Sequence, residues 1–403
     1  MTACAPRLSR SGPRRATRPP GRVRVLQIVA ARESLRLLTG QSRYLRRQGI
    51  DYAVVSSPGP QLDSFVRTEL VPTHAVPMAR AIDPLGDAAA LFRLVRIINR
   101  LRPHVLHGHT SKGGMLAVAA GHITGVPSVF HLGGLASATG TSRTLLGAAE
   151  RASIRLADRV LAVSPSLLGL ARDQGLCPHD IGEVPGHGSL NGVEADSRFN
   201  PNRCAPEVAA LRERLGIPDG APVIGFVGRL ARDTGGAELV AAWSALRRAV
   251  PGVRLLLVGH QDAGDCPPAG DVATLADPHV HLTGWVEDPA AYYSLMSVLA
   301  LPSARERLPA VALEANAMRV PVVATRVPGI VDAVEDGSTG SLVAPGDHAG
   351  FARALRAYLT DHERAREHGI AGRRRTLGRF RPSDVWDTLA GVYQEMAGLP
   401  DSQ

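Results

Sequence analysis

Val298-Leu-Ala-Leu-Pro302-Ser-Ala-Arg-Glu306-Arg-Leu-Pro-Ala-Val-Ala-Leu-Glu314-Ala, running on into Val320-Pro321-Val-Val-Ala324-Thr325, is the stretch whose reading decides the fold. Two short apolar runs, 298–302 and 321–324, flank a pair of carboxylates eight residues apart. Unbroken apolar runs of this length read as parallel strands buried on both faces, and the segment between them as a loop followed by a helix. On one continuous helix an eight-residue offset would set the carboxylates about 80° apart around the axis. The flanks instead predict Glu306 in the loop at the carboxyl end of a strand, and Glu314 one to two turns into the helix. Ligands of open α/β sheets bind at that edge. The plainer alternative is two solvated glutamates on a surface helix. It has to account for two acids set in an otherwise apolar, arginine-bearing stretch.

The same rhythm extends in both directions. In the first half, 24–29, 51–56, 104–107, 128–131 and 159–164 read as short parallel strands, with apolar helical stretches at 91–101 and 145–156. The second half continues with strands at 222–228, 253–258, 280–283, 298–301 and 321–324. Repeated βα units predict doubly wound sheets, and 403 residues exceed one ordinary core. The expected division is a disordered basic tail at 1–21, one Rossmann-like domain at 22–199, a second at 200–381, and a last helix within 382–403. Asn and Pro residues make 198–203 the natural linker, and Pro-Ser-Asp at 382–384 is a good helix entry.

Composition narrows the function classes. Apolar residues make up 44% of the chain, ample for two cores, and the formal net charge is +9. Six arginines and no acid lie in the first 22 residues, so the remainder carries only +3. That tail is rich in Pro, Ser, Thr and Gly, which reads as disordered. No aromatic–basic interleaving supports nucleic-acid binding. Cys4, Cys177, Cys204 and Cys266 have neither metal-ligand spacing nor the density of a disulfide framework, which fits a reducing cytosol. No apolar run approaches the ~20 residues of a membrane span, and the tail lacks the apolar core of a signal peptide. The segment 83–102 alternates Leu91, Leu94, Ile97, Ile98 and Leu101 with Arg93, Arg96, Arg100 and Arg102. Such a basic amphipathic helix either rests on an anionic membrane surface or simply covers a sheet.

The carboxylate segment also resembles the glutamate-x7-glutamate motif of retaining, nucleotide-sugar-dependent glycosyltransferases of family 4, which have the GT-B fold. The resemblance continues through 327–347 and includes Gly225-Phe-Val-Gly228-Arg229-Leu, Val258-Gly259 and Leu282-Thr-Gly284-Trp285-Val. His107-Gly-His109-Thr-Ser-Lys112-Gly-Gly and Gly186-His-Gly188-Ser-Leu-Asn191-Gly192-Val193 are similar to the capsular and exopolysaccharide branch. It implies two Rossmann-like domains facing a central cleft, with the last helix packing back on the first domain. It implies transfer of a sugar from a nucleotide sugar, most simply a UDP-sugar, to a lipid-linked saccharide or a small natural product. The setting would be cytoplasmic, with peripheral contact at the inner membrane face. Two other readings stay open: a glycosyltransferase-like partner protein without turnover, and a nucleotide-sugar epimerase or hydrolase on the same fold.

Such a transfer must neutralise a departing pyrophosphate while holding ribose, base and acceptor. The chain has no Asp-x-Asp pair, so no essential metal is expected and no cofactor beyond the donor itself. Gly228-Arg229 at a strand end supplies the obvious cation, since a guanidinium grips phosphate bidentately. The resemblance assigns Glu314 to the ribose hydroxyls, Glu306 to the sugar or leaving phosphate, and the backbone near Leu308 to the phosphate. It assigns small residues at 186–193 to close backbone approach to the ligand. His109 is an acceptor-side or donor-sugar contact, or else a structural histidine. His131 fills the family's strand-end histidine in a shifted register, or Gly133 has replaced it. Three positions depart from the pattern: Thr234 stands where a lysine is usual, and Arg307 and Arg319 where glycine is usual. Arg307 or Arg232 is the expected replacement for the missing charge; the competing reading is a drifted, weak enzyme.

Overall fold

The computed structural model describes residues 21–79, 83–135, 145–260 and 276–398, and folds the strand–helix units into two wholly parallel sheets. All of the expected tail but Gly21 lies outside the described residues. The first sheet holds β1 (Val23–Val29), β2 (Ile50–Ser56), β3 (Thr73–Ala75), β4 (Val105–His109), β5 (Ser128–Leu132), β6 (Arg159–Ala162) and β7 (Gly182–Glu183). Their order is β3-β2-β1-β4-β5-β6-β7. The second holds β8 (Val223–Val227), β9 (Arg254–Val258), β10 (Val280–Leu282), β11 (Val298–Leu301), β12 (Val322–Thr325) and β13 (Gly340–Val343), ordered β10-β9-β8-β11-β12-β13. Each sheet therefore starts in its middle, winds to one edge, returns and winds to the other. The reversals fall between β1 and β4 and between β8 and β11, where connections leave in opposite directions and open a crevice at the strands' carboxyl ends.

The central strands form where the apolar runs demanded it: every residue of β4, β5, β11 and β12 is buried. The edge strands β3, β7 and β13 had no such signal, because short, partly exposed edges need no apolar run. The linker expectation needs correcting. Pro201 opens a helix, Pro201–Leu215, and the Asn200 side chain caps it by accepting from the Asn202 N–H. Proline at the first helical position gives up an N–H that would be unpaired anyway, so the Asn-Pro pair is a helix entrance.

The basic helix is Pro84–Leu101, which buries Ala90, Leu94 and Ile98 and leaves Leu85 and Phe92 exposed. Lys112, the only lysine, bonds Asp87 of that helix at 2.7 Å and ties it to the helix after β4. The last helix, Pro382–Met396, lies on the first sheet, with Val385, Leu389 and Tyr393 in one cluster with Val25, Val29, Val105 and Val129. A further apolar cluster runs from Phe130, Leu132 and Leu167 of the first half through Leu308 and Ile330 of the second, so the halves share a core. Beside it the Ser166 N–H and hydroxyl both donate to Asp332, and the Gly329 N–H donates to Ser166 Oγ at 2.7 Å. Among the described residues no helix is long and apolar enough to cross a membrane.

Candidate active site at the seam of the two sheets

At the β8/β11 reversal three strand ends are laced together. The Gly228 N–H donates to Val258 O at 2.8 Å, and the Gly259 N–H to Gly284 O at 3.0 Å. A Cβ on Gly259 would stand 2.0 Å from Gly228 O, so this approach requires glycine. Arg229 follows directly, its Nη2 donating to both oxygens of Asp233, at 2.7 and 2.9 Å. Thr234, at the position where the resemblance places lysine, closes the turn instead. Its hydroxyl accepts from the Ala231 N–H at 3.0 Å and lies 2.7 Å from Arg229 O and 3.0 Å from Ala231 O.

Glu306 lies in the loop after β11, as the spacing predicted, and is half-buried. Burial pushes its carboxyl up; the Arg307 N–H and guanidinium oppose this, and the nearby Asp233 charge adds to it. Glu314 is one turn into the helix Ala310–Ala317 and accepts from the Tyr293 hydroxyl at 2.7 Å. Burial raises its carboxyl too, with Tyr293, Arg198 and Arg36 acting against it. Arg36 belongs to the first half, so Glu314 senses charge across the seam. Leu308 has its side chain in the shared core, which leaves only its backbone for a ligand.

The β1/β4 reversal carries polar side chains on one face of a buried sheet. Register aligns Gln27 with His107 and His109 with His131, so all four share the side covered by the last helix. His107 Nδ1 lies 2.5 Å from the Tyr393 hydroxyl, and its Nε2 3.1 Å from His131 Nδ1. His109 Nε2 lies 2.7 Å from Gln27 Oε1, and Gln27 Nε2 donates to the Tyr393 hydroxyl at 3.1 Å. Burial lowers all three imidazoles, His109 to about 3, so they are neutral. Among the described residues this is the cluster with metal-ligand spacing, its three ring nitrogens within 4.8 Å of one another. Thr110, next to His109, has φ 64, a strained value for a β-branched residue at a strand-to-helix junction.

The two clusters meet through Arg307. A Cβ on Gly133 would lie 3.6 Å from its Nη1, and one on Gly134 3.7 Å from its Nε, so the side chain rests on the glycine pair just after β5. The structure thus groups Gly228, Arg229 and Glu306 at one reversal, sets His109 and His131 at the other, and places Arg307 between. In the loop 186–193 a Cβ on Gly188 would stand 2.8 Å from Val163 O and 3.3 Å from Leu308 Cδ1, at the seam, and the other glycines meet the last helix. A Cβ on Gly192 would stand 2.5 Å from Pro382 N, and one on Gly186 3.4 Å from Asp384 C. These two admit the start of the last helix; Asn191 is held there by Trp386 Nε1 at 2.7 Å. Gln27, Tyr393, Tyr293, Asp233 and Arg36 were missed from the sequence. Tyr393 had a faint signal, as one polar-tipped residue on the apolar stripe of its helix.

Two parallel-sheet domains whose reversals open on one seam define the GT-B class of fold. The Anabaena protein HepE, solved in complex with UDP, superposes with a TM-score of 0.76 at 19% identity, over 93% of this chain and all of that one. Residues 35–186 match the profile of the glycosyl transferase 4-like domain, and residues 221–361 that of glycosyl transferases group 1. The capsular polysaccharide biosynthesis glycosyltransferase CapM of Staphylococcus aureus is 28% identical over 375 residues, 92% of this chain and 96% of its own length. The GDP-mannose-dependent alpha-mannosyltransferase of Mycobacterium tuberculosis is 32% identical over 378 residues, 89% of this chain and 92% of its own. The chain belongs to this glycosyltransferase family.

Proposed function

We propose that this glycosyltransferase moves a sugar from a UDP-sugar to a lipid-linked saccharide or natural-product acceptor, with retention of configuration. The observation that carries the reading is the convergence of Arg229, Glu306 and Arg307 at the second sheet's reversal with the histidine-lined reversal of the first. Arg229 and Arg307 would grip the pyrophosphate as negative charge builds on it, and the N-terminus of the helix Ala310–Ala317 would add its dipole. Glu314, supported by Tyr293, would accept from the ribose hydroxyls. Glu306 would face the sugar near the departing phosphate, with His109 and His131 across from it. No step of this scheme needs a metal or cofactor.

The relatives supply the chemistry of comparison. HepE is solved with UDP, CapM is named for capsular polysaccharide synthesis, and the mycobacterial relative for GDP-mannose. The acceptor reading follows CapM. Peripheral membrane contact follows the outer stripe of the helix Pro84–Leu101, where exposed Leu85 and Phe92 lie among Arg93, Arg96 and Arg100.

Incubation with UDP-glucose, UDP-N-acetylglucosamine and GDP-mannose, each with and without lipid-linked saccharide acceptors, tests the reading. The expected result is acceptor-dependent release of UDP with an α-linked product from an α-linked donor. Binding without release would favour the partner-protein alternative, and release without acceptor the hydrolase.

A further inference from the structure

We infer that Tyr393 and His107 are positioning residues that fix His131 as the Nε2–H tautomer, so that His131 offers the seam a proton donor and not a base. The catalytic meaning of this rests on the glycosyl-transfer reading; the tautomer itself does not.

The chain of protons has one consistent direction once the Gln27 amide is placed. Its nitrogen faces the Tyr393 oxygen at 3.1 Å and its oxygen faces His109 Nε2 at 2.7 Å. The phenol therefore accepts from Gln27 and has its own proton to give, and the acceptor at 2.5 Å is His107 Nδ1. Burial holds the phenol in its protonated form. A neutral imidazole with a bare Nδ1 carries its proton on Nε2. That Nε2–H points to His131 Nδ1 at 3.1 Å, which makes His131 Nδ1 the acceptor and leaves the His131 proton on Nε2. At the other end Gln27 Oε1 accepts from His109 Nε2–H. Reversal would require the amide to turn over and every proton in the chain to move.

His131 Nε2 is where the chain ends. It is buried and has no hydrogen-bond partner among the described residues, on a residue two positions before the glycine pair that carries Arg307. Buried donors are nearly always paired, so an unpaired one at a sheet reversal points to a ligand oxygen as its acceptor. A hydroxyl or phosphate oxygen fits; a group that must lose a proton does not. The source of this order lies on the last helix, which also bonds Asn191 through Trp386. The helix thus sets the protonation pattern of the site as well as covering the sheet.

The test is long-range proton–nitrogen correlation on donor-free protein labelled with nitrogen-15 histidine, with His131→Asn used to assign the His131 signals. The expected spectrum shows His131 with a protonated Nε2 and a bare Nδ1. In Tyr393→Phe the chain loses its proton source, and His131 should become a mixture of both tautomers. The kcat should fall tenfold or more, while the donor KM changes less than threefold. Trp386→Phe, on the same helix but outside the chain, should keep the tautomer, which separates positioning from packing. An Nδ1–H or doubly protonated His131 in the wild-type protein would overturn the inference. So would a Tyr393→Phe protein with an unchanged His131 tautomer. The expected spectra in a protein that releases no nucleotide from any donor would uphold the proton chain and remove the glycosyl-transfer reading.

Discussion

Three neutral imidazoles inside a sheet make the protein sensitive to mild acid by a calculable amount. His109 is held at about 3 by burial, and His107 and His131 are pushed well below the usual range for the same reason. In the unfolded chain each titrates near its ordinary value of about 6.5. Between the folded and unfolded values the unfolded state binds more protons, so stability present above pH 6.5 is lost as pH falls. From pH 7.5 to 5.5 the loss is about 1.4 kcal/mol for His109, and His107 and His131 add losses of the same sign. Glu306 and Glu314 act in the opposite sense, because burial raises their carboxyls and the folded state takes up protons first. A comparison of variants cancels them. At pH 5.5 an unfolded imidazole carries about 0.9 proton and folded His109 almost none. Proton uptake on mixing into concentrated urea, followed by pH-stat titration, should therefore be smaller by about 0.9 proton in His109→Gln than in the wild-type protein. The measurement needs no two-state assumption, which suits a protein of two sheets. A difference below about 0.3 proton would show that His109 titrates normally in the fold, and the account of a dry histidine cluster would fail.

Other outcomes follow from the contacts at the seam. Asp233→Asn removes the carboxylate that holds Arg229 and should tighten UDP binding about two- to fivefold, a half-exposed pair being worth at most about 1 kcal/mol. Calorimetry at two salt concentrations checks it; weaker binding in the variant would mean that Asp233 positions Arg229 and does not compete for it. Gly192→Ala places a Cβ 2.5 Å from Pro382 N at φ +67, and should destabilise by about 3 kcal/mol or more, seen as a lower midpoint in thermal melts. Ser166→Ala removes the acceptor of the Gly329 N–H and one of two donors to Asp332, which keeps the backbone N–H of position 166. It should cost about 1–3 kcal/mol, with faster amide exchange at Gly329 as its local mark.

The sequence and the structure agree where physics leaves little choice. Buried central strands demand unbroken apolar runs, so β4, β5, β8, β9, β11 and β12 were legible, and Glu306 and Glu314 fell in the loop and helix their spacing required. Edge strands such as Gly182–Glu183 have no such demand and were missed. The donor-side residues were visible because they follow apolar runs directly. The partners that tune them were not: Tyr293, Arg36 and Tyr393 lie far from them in the chain and meet them only through the packing of other elements. The loop 186–193 shows the same limit. Glycines announce a close approach, but only the fold says that Pro382 is what approaches Gly192 and that Val163 and Leu308 approach Gly188.

The three departures from the family pattern now divide on physical grounds. Thr234 is built into its turn by three contacts with the Arg229–Ala231 backbone, so a lysine there would lose the closure of the loop. Arg307 has no left-handed φ and fits over Gly133–Gly134 at ordinary contact distance, so it costs the backbone nothing. Arg319 differs from both. It follows the helix Ala310–Ala317 at φ 63, with its N–H on Asn316 O and the Val320 N–H reaching back to Ala315 O, the cap geometry that favours glycine. An L-residue pays about 1 kcal/mol there, and the arginine also crowds the partly desolvated Arg373. Arg319→Gly should therefore raise stability by about 1 kcal/mol and leave donor affinity unchanged. Arg307→Gly should do the reverse, leaving the melting midpoint alone and weakening UDP binding by about tenfold, the loss of one charge-assisted phosphate contact. Equal small effects of the two on UDP affinity would remove Arg307 from the donor site and leave Arg232 as the replacement for the missing lysine.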